Sequence, residues 1–129
     1  MIQRTNVEGL SEPPGYSHAV VASGGRLVTT AGAVPLDPEG NLVGPGDCAA
    51  QAKQVLENLA LALGAVGAQG SDVLKTTVYV ASENREDLVA VWRVVQGSEV
   101  ADAASTLLGV SLLGYEGQLV EIEATAVLE

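Results

Sequence analysis

The chain has 129 residues, which gives room for one domain, 1–129, and for no second hydrophobic core. Its net charge is −10 with only six Lys and Arg residues. Such a surface repels phosphate backbones, so we expect no nucleic-acid partner. Hydrophobic residues make up 47% of the chain, and 15 glycines add to the apolar share. Because a small domain cannot bury so much apolar surface alone, we expect a substantial subunit interface.

Cysteine, histidine and the N-terminus limit the expected cofactors and location. The single Cys48 excludes an intrachain disulfide, and a metal site would need carboxylates around the single histidine, His18. We therefore expect no metal and no cofactor. Cys48 precedes a predicted helix, where it is either a slightly acidified thiol or a small buried filler. No apolar N-terminal segment or membrane-length run is present, so we expect a cytoplasmic protein without a membrane partner.

The first part of the chain predicts three strands. Ile2–Val7 is a candidate edge strand, and turn residues over Ser11–Gly15 separate it from a second strand, Tyr16–Ala22. A Ser-Gly-Gly sequence then predicts a tight hairpin turn to a third strand, Arg26–Val34. Gly32 within this strand marks a place where backbone or ligand can come close.

The middle of the chain alternates helix and strand. Asp47 can cap a helix over 48–66, in which apolar residues recur at helical spacing. A strand over Val73–Ala81 follows. A second helix over 84–96 begins after Ser82 or Asn84, and a glycine ends it.

Two further strands, Ser105–Leu113 and Leu119–Leu128, close the chain. With period two, the last strand has one wholly apolar face and one mixed face that carries Glu121 and Glu123. These carboxylates either point to solvent or take part in chemistry. The order β-β-β-α-β-α-β-β predicts an α+β fold in which two helices pack on one face of a six-stranded, mostly antiparallel sheet.

The remaining candidate residues are scattered, because no GxGxxG, P-loop, HExxH, GxSxG or CxxC pattern is present. His18 shares a strand face with Tyr16 and is either structural or functional. Tyr16 follows a Pro-Pro-Gly turn that can aim its phenol into a cleft. Trp92 is either a core residue or a site residue, and the hydroxyls of Ser105 and Thr106 can bind a ligand or only the backbone.

Six blocks occur in order and at suitable intervals over residues 14–127: PPGYSHAV, TAGAVPLDPEGNLV, QAKQVLENL, DVLKTTVYV, STLLGV and LVEIEATAV. Together they resemble the Rid family, which is the RidA/YjgF type that is also called endoribonuclease L-PSP. The resemblance implies a chorismate-mutase-like fold and a homotrimer with a cleft at each subunit interface. It also implies hydrolysis of reactive enamines and imines, such as 2-aminoacrylate, to ketoacids and ammonia.

The resemblance also implies roles for individual residues. Glu121 takes the place of the glutamate that orients the attacking water, and Tyr16 that of the tyrosine that closes the pocket. The family's carboxylate-binding arginine is absent, and Ser105, or Thr106 with a different gap, stands at its position. The residues expected to contact substrate are Thr30, Gly32, Ala33, Trp92, Ser105, Thr106 and His18.

Losing the arginine changes the expected substrate, because a hydroxyl cannot bind a carboxylate bidentately with charge assistance. We therefore expect Glu121-assisted addition of water to a small imine, enamine or carbonyl compound that lacks a carboxylate. His18 is a possible extra proton carrier, since imidazoles exchange protons near neutral pH. The alternative is a trimer that binds a small molecule without catalysis. Ribonuclease activity conflicts with the charge of −10.

Overall fold

The computed structural model describes all 129 residues, and its elements follow the predicted order. They are β1 (Ile2–Thr5), β2 (Ala19–Ala22), β3 (Arg26–Thr29), α1 (Cys48–Ala65), β4 (Val73–Ala81), α2 (Arg85–Gln96), β5 (Ala104–Val110) and β6 (Val120–Leu128). The fold is α+β, as the sequence predicts. A single 3₁₀ turn over Gly70–Asp72 leads into β4. Neither α-helix combines the length and the apolar character that crossing a membrane requires.

Helix α1 begins as predicted. The side chain of Asp47 accepts a hydrogen bond from the backbone N–H of Ala50 at 3.0 Å, which satisfies a donor that the first helical turn leaves free. The inward face of α1 consists of apolar side chains that are at most 1% exposed: Ala52, Val55, Leu59 and Leu63. Burial of each of the two leucines stabilises the fold by about 1.5–3 kcal/mol.

Helix α2 lies between Asn84 and Gly97, close to the predicted bounds. The hydroxyl oxygen of Ser82 accepts from the N–H of Asn84 at 2.9 Å. At the other end, the N–H of Gly97 returns to the carbonyl of Val94 at 3.2 Å. Val91 is fully buried in the middle of the helix, so α2 presents one apolar side to the protein core.

The central sheet has four strands in the order β3-β6-β4-β5. β6 is antiparallel to both of its neighbours, whereas β4 and β5 are parallel and are connected through α2. α1 packs against β6, and α2 packs against α1, β4 and β5. One face of β6 is buried beneath the helices, through Val120, Ile122, Ala124 and Ala126. The apolar face predicted for the last strand is therefore confirmed, and the mixed face lies on the open side of the sheet.

The predicted single sheet is divided in the structure, because β1 and β2 form a separate two-stranded antiparallel sheet. The Ser-Gly-Gly turn connects β2 to β3, but β2 pairs with β1 instead of β3. β2 also starts three residues later than predicted. Ser17 is tied to the segment before β5, since its N–H bonds to Ala103 O at 3.3 Å and its hydroxyl to Asp102 O at 2.7 Å. These bonds hold Tyr16 outside any strand.

Candidate functional site

Glu121 lies on the open face of the central sheet and is half-buried. It stands opposite Tyr79 of β4. Its Oε1 accepts a hydrogen bond from Nε2 of Gln118 at 3.0 Å, and its Oε2 has no hydrogen-bond partner within the chain. No cation pairs with Glu121, since the one ion pair of the protein joins the N-terminal amine to Glu129. An unpaired carboxylate with a free oxygen can accept a proton from water.

A β-bulge lies beside this carboxylate and ends β3 at Thr29 instead of the predicted Val34. The N–H of Thr30 bonds to Ala124 O at 3.0 Å, and its hydroxyl accepts from Ala124 N at the same distance. Ala33 then exchanges both backbone hydrogen bonds with Ile122, at 2.8 and 3.2 Å. Two residues between these pairs oppose one residue of β6, which is the geometry of a bulge.

Gly32 is one of the two residues that oppose a single residue of β6, and it gives the Glu121 side chain its space. A Cβ at Gly32 would overlap Oε2 of Glu121. The φ angle of Gly32 is not in the left-handed region, so the position needs glycine for room and not for backbone conformation. The sequence predicts a close approach at this position, and the structure identifies Glu121 as the group that approaches.

Tyr16 is held on the opposite side of the sheet by the turn before it. The carbonyl of Pro14 accepts hydrogen bonds from Nε1 of Trp92 and Nε2 of Gln96, both at 2.7 Å. The rings of Tyr16 and Trp92 form a T-shaped pair with centroids 6.0 Å apart. The Tyr16 hydroxyl makes no hydrogen bond within the chain, so it is free for a ligand or a neighbouring molecule.

Ser105 completes a small pocket with these aromatic residues. The cavity has a volume of about 140 Å³ and is lined by Pro14, Tyr16, Trp92, Ser105 and Leu107. The hydroxyl oxygen of Ser105 accepts from Oγ1 of the fully buried Thr76 at 2.7 Å, which places Ser105 on the helix side of β5. No cationic side chain lines the pocket.

Thr106 points to the other face of β5, because neighbouring residues of a strand alternate. Its Oγ1 accepts a hydrogen bond from Nζ of Lys75 at 2.7 Å. The guanidinium of Arg4 is engaged elsewhere, by the carbonyls of Ser71, Val73 and Asp102 at 2.9–3.3 Å. Lys75 is thus the cation next to Thr106, one of the two positions at which the sequence predicts that the family's arginine is replaced.

His18 lies beside Tyr16, with ring centroids 5.9 Å apart. Its Nδ1 accepts from the N–H of Val7 at 2.9 Å, which leaves the proton on Nε2 to be donated to Ser11 O at 3.0 Å. Both nitrogens therefore connect the loop after β1 to the start of β2. A role in carrying protons would require one of these bonds to break.

The structure divides the predicted site residues into two groups. The Glu121 group consists of Glu121, Thr30, Gly32 and Ala33, where β6 meets the bulge. The Glu121 carboxylate lies on the open face, whereas Ala33 pairs with Ile122 and packs against the buried core. The Tyr16 pocket lies on the helix side at the β5 edge and consists of Tyr16, Trp92 and Ser105. The sheet separates the Glu121 carboxylate from the Tyr16 pocket within one chain.

Several residues that contact the predicted site were missed from the sequence. Gln118 and Lys75 approach it only through the fold. The hydroxyl of Tyr79 donates a short hydrogen bond to Oε1 of Glu123, and this bond, with burial and the neighbouring carboxylates, raises the pKa of Tyr79. Glu123 follows Glu121 by two residues, so strand alternation predicts that both side chains lie on the same face of β6. Burial raises the pKa of the Cys48 thiol, with Asp87 and Asp47 adding to the effect. Of the two alternatives for Cys48, the small buried filler is therefore the one that the structure confirms.

Other parts of the molecule offer no comparable chemistry. No group of three or more His, Cys, Asp or Glu side chains is placed to hold a metal ion. A cavity of about 360 Å³ lies where the C-terminal ends of α1 and α2 meet, and it includes Leu63, Gly97 and Val100. None of the predicted site residues lines it.

Comparison with known protein families shows to which family the chain belongs. The model of the endoribonuclease L-PSP family matches residues 10–128. The chain belongs to this family. Among solved structures, a Rid-family protein of unknown function from Yersinia pestis superposes with a TM-score of 0.90 at 38% identity, over 98% of each chain. The Escherichia coli YjgF protein gives 0.69 at 28% identity, over 98% of this chain and 94% of that one. The Rid/YjgF resemblance predicted from the sequence is thus confirmed.

Relatives of this L-PSP-family chain include proteins with a named activity. The rat 2-iminobutanoate/2-iminopropanoate deaminase is 35% identical over 114 residues, which cover 87% of this chain and 79% of that protein. A RutC family protein of Synechocystis is 37% identical over 117 residues, or 88% and 85%. The chain spans only 60% and 53% of RutC family proteins from Pyrococcus horikoshii and Pyrococcus abyssi, at 40% and 39% identity.

Proposed function

We propose that this L-PSP-family protein hydrolyses a small imine, enamine or carbonyl metabolite that lacks a carboxylate group. For an imine, water adds to the carbon of C=NH, the C–N bond then breaks, and a carbonyl compound and ammonia are released. The relatives named as 2-iminobutanoate/2-iminopropanoate deaminases support this reaction class. The reaction needs a base that removes a proton from water as its oxygen attacks carbon.

The observation that carries the proposal is the free Oε2 of Glu121 beside Gly32. The bulge leaves space at this oxygen, and no cation neutralises the carboxylate. Water held there can transfer a proton to Oε2 as it adds to the imine carbon. The same carboxyl group can return this proton to the nitrogen, which gives a carbinolamine. It can then take the hydroxyl proton and pass it to the nitrogen as the C–N bond breaks, so that both protons of water reach ammonia and Glu121 ends the cycle ionised.

The Tyr16 pocket supports the choice of substrate. Its walls are aromatic and apolar, and the residues that bring hydroxyl groups to it, Ser105 and Tyr16, are uncharged. At a desolvated site, the missing cation would cost a carboxylate substrate about 2–5 kcal/mol. An uncharged substrate does not have this cost, and a cationic one can also interact with the faces of Tyr16 and Trp92.

We further propose a homotrimer in which each cleft combines two protomers. Glu121 and the Tyr16 pocket lie on opposite sides of the sheet, so a cleft containing both needs Glu121 from one subunit and the pocket from its neighbour. The open face also carries apolar side chains, since Leu27 is 70% and Leu108 is 41% exposed. A neighbouring subunit on this face would cover them.

The test compares the rates at which the protein hydrolyses two imines that are generated in situ by oxidases. A flavin monoamine oxidase supplies uncharged benzylimine from benzylamine, and D-amino acid oxidase supplies 2-iminopropanoate from D-alanine, each oxidase in excess so that imine hydrolysis limits the rate. We expect the protein to accelerate formation of benzaldehyde and ammonia more than formation of pyruvate. Glu121→Gln should remove the acceleration while the assembly, measured by light scattering, stays unchanged.

Three outcomes would contradict the proposal. Preferred hydrolysis of 2-iminopropanoate would refute the substrate assignment, and its loss in Lys75→Met would give Lys75 the role of the missing arginine. Full activity of Glu121→Gln would remove Glu121 from the mechanism. Saturable binding of amines without turnover of either imine would favour the non-catalytic alternative, and a monomer in solution would refute the shared cleft.

A further inference from the structure

Gln118 lies just before β6 and is only 3% exposed. All the polar groups of its side chain are used. Its Nε2 donates to Glu121 Oε1 at 3.0 Å and to Val120 O at 3.1 Å, and its Oε1 accepts from the N–H of Tyr115 at 3.1 Å. A buried side chain with this set of partners has a fixed position.

The partners of Gln118 also fix the orientation of its amide. A rotation of the amide by 180° would place its oxygen against the carbonyl of Val120 and the carboxylate of Glu121, which are both acceptors. Its NH₂ group would then face the N–H of Tyr115, which is a donor. The NH₂ group must therefore point towards Glu121, and Oε1 of Glu121 receives a permanent donor.

The backbone around Gln118 is anchored by a second buried glutamine. Gln51 of α1 is fully buried, and its Oε1 accepts from the N–H of Leu119 at 2.7 Å. Its Nε2 donates to Gly117 O and to Gly44 O, both at 3.1 Å. The residues on both sides of Gln118 are thus bonded to α1, so the amide that contacts Glu121 is supported by the protein core.

We propose that Gln118 is a positioning residue that holds Oε1 of Glu121, so that Oε2 remains beside Gly32 as the oxygen that takes the proton from water. This inference rests on the function proposed above. A carboxylate bound at one oxygen and confined by the bulge at the other loses its rotational freedom. A base held in place in this way can abstract a proton without first having to reorient.

The test uses two variants of Gln118 and a matched control. Gln118→Met removes the whole hydrogen-bonding group. Gln118→Glu keeps the acceptor for Tyr115, loses the donors to Glu121 and to Val120 O, and places a second negative charge beside Glu121. The control is Gln54→Met, because Gln54 is a half-buried glutamine whose side chain bonds to Asn58 at 3.1 Å and not to Glu121. With benzylimine as the probe, we expect kcat to fall about 10–100-fold in both Gln118 variants, with KM changed less than about twofold. Gln54→Met should behave as the wild type.

A structural measurement separates positioning from support of the fold. Crystal structures of the wild type and both Gln118 variants should show the Glu121 carboxylate displaced from Gly32 in the variants, with β6 unmoved. Wild-type kcat in Gln118→Glu, or a carboxylate that stays in place, would overturn the proposal. If the wild-type protein hydrolyses neither imine, the proposed function fails, and the position of the carboxylate in the variants still decides whether Gln118 holds it.

A third variant covers the case in which neither Gln118 variant folds. Gly32→Ala introduces a methyl group where Oε2 lies and places no strain on the backbone. The same carboxylate should then be displaced from the other side, with the same fall in kcat. A wild-type kcat in Gly32→Ala would show that the position of Oε2 does not matter.

Discussion

The Glu121 group and the Tyr16 pocket differ in what holds them in place. Glu121 is fixed by a buried amide on one side and a backbone bulge on the other, and both are bonded to the core strands. The Tyr16 pocket is held mainly by one turn carbonyl, Pro14 O, which side chains of α2 bind from the edge of the domain. A carboxylate in a fixed position is suited to proton transfer, whereas an aromatic pocket at the edge of the domain is suited to selecting the substrate.

The largest effect is expected from a substitution that tests whether Glu121 alone acts as the catalytic base. Glu121→Gln should lower kcat for benzylimine hydrolysis by about 10²–10⁴-fold, because the amide cannot accept the proton from water. Glu123→Gln is the matched control two residues away on the same face, and it should keep kcat within about threefold. An equal loss of kcat in the two variants would mean that the negative charge of the open face supports the reaction, and that no single carboxylate acts as the base.

The second prediction concerns selection by the Tyr16 pocket. Ser105→Arg should raise kcat/KM for 2-iminopropanoate about tenfold or more, because a guanidinium binds a carboxylate with two charge-assisted hydrogen bonds. Thr106→Arg is the control on the opposite face of β5 and should give no gain. A gain in Thr106→Arg alone would assign the arginine position to Thr106 and move the selecting group to the side of Lys75.

A smaller effect is expected when the support of the pocket is weakened. Trp92→Phe removes one of the two hydrogen bonds to Pro14 O and leaves the bond from Gln96. A single bond of this kind contributes about 1 kcal/mol, so KM for benzylimine should rise about threefold to fivefold with kcat nearly constant. A fall in kcat with an unchanged KM would contradict the division between chemistry and selection.

The smallest effect is a pH dependence at Tyr79. The hydrogen bond to Glu123, followed by burial and the charges of Glu123 and Glu121, raises the pKa of Tyr79 above that of an unfolded tyrosine. The folded state therefore keeps this proton longer, so the stabilisation is complete below about pH 10 and is lost as pH rises through the folded pKa. Ultraviolet titration should show one tyrosine ionising late, and Glu123→Gln should move it earlier. Three tyrosines with the ordinary pKa would contradict the bond.

Local signals predicted α1, β4 and β6 closely. Asp47 caps α1 as expected, and Val73–Ala81 was predicted with its observed bounds because β-branched residues and alternation coincide there. The β2–β3 region was predicted less well. The turn sequence favours a hairpin, but the choice of partner for β2 depends on β1, which is far away along the chain.

The candidate site was likewise predicted from local signals only in part. Gly32 was predicted to be a point of close approach, because a glycine within a strand has few other reasons to be present. The identity of the approaching group, Glu121, depends on the register of β3 against β6. Gln118 gave no signal, since a single glutamine after a turn is ordinary in a sequence. Strand alternation predicts that Ser105 and Thr106 face opposite sides, but not which of these sides the helices cover.

The sequence alone determined the order of the elements, the apolar face of β6 and the family, because capping, periodicity and residue identity are local properties. The loss of the family's arginine stays a prediction from the sequence. Only the tertiary structure separated Glu121 from the Tyr16 pocket, placed Lys75 beside Thr106 and brought Gln118 to the carboxylate. These placements depend on strand register and on buried side-chain hydrogen bonds. Both are determined only when distant segments pack together, because each partner is then selected by the space and the unpaired polar groups that the others leave.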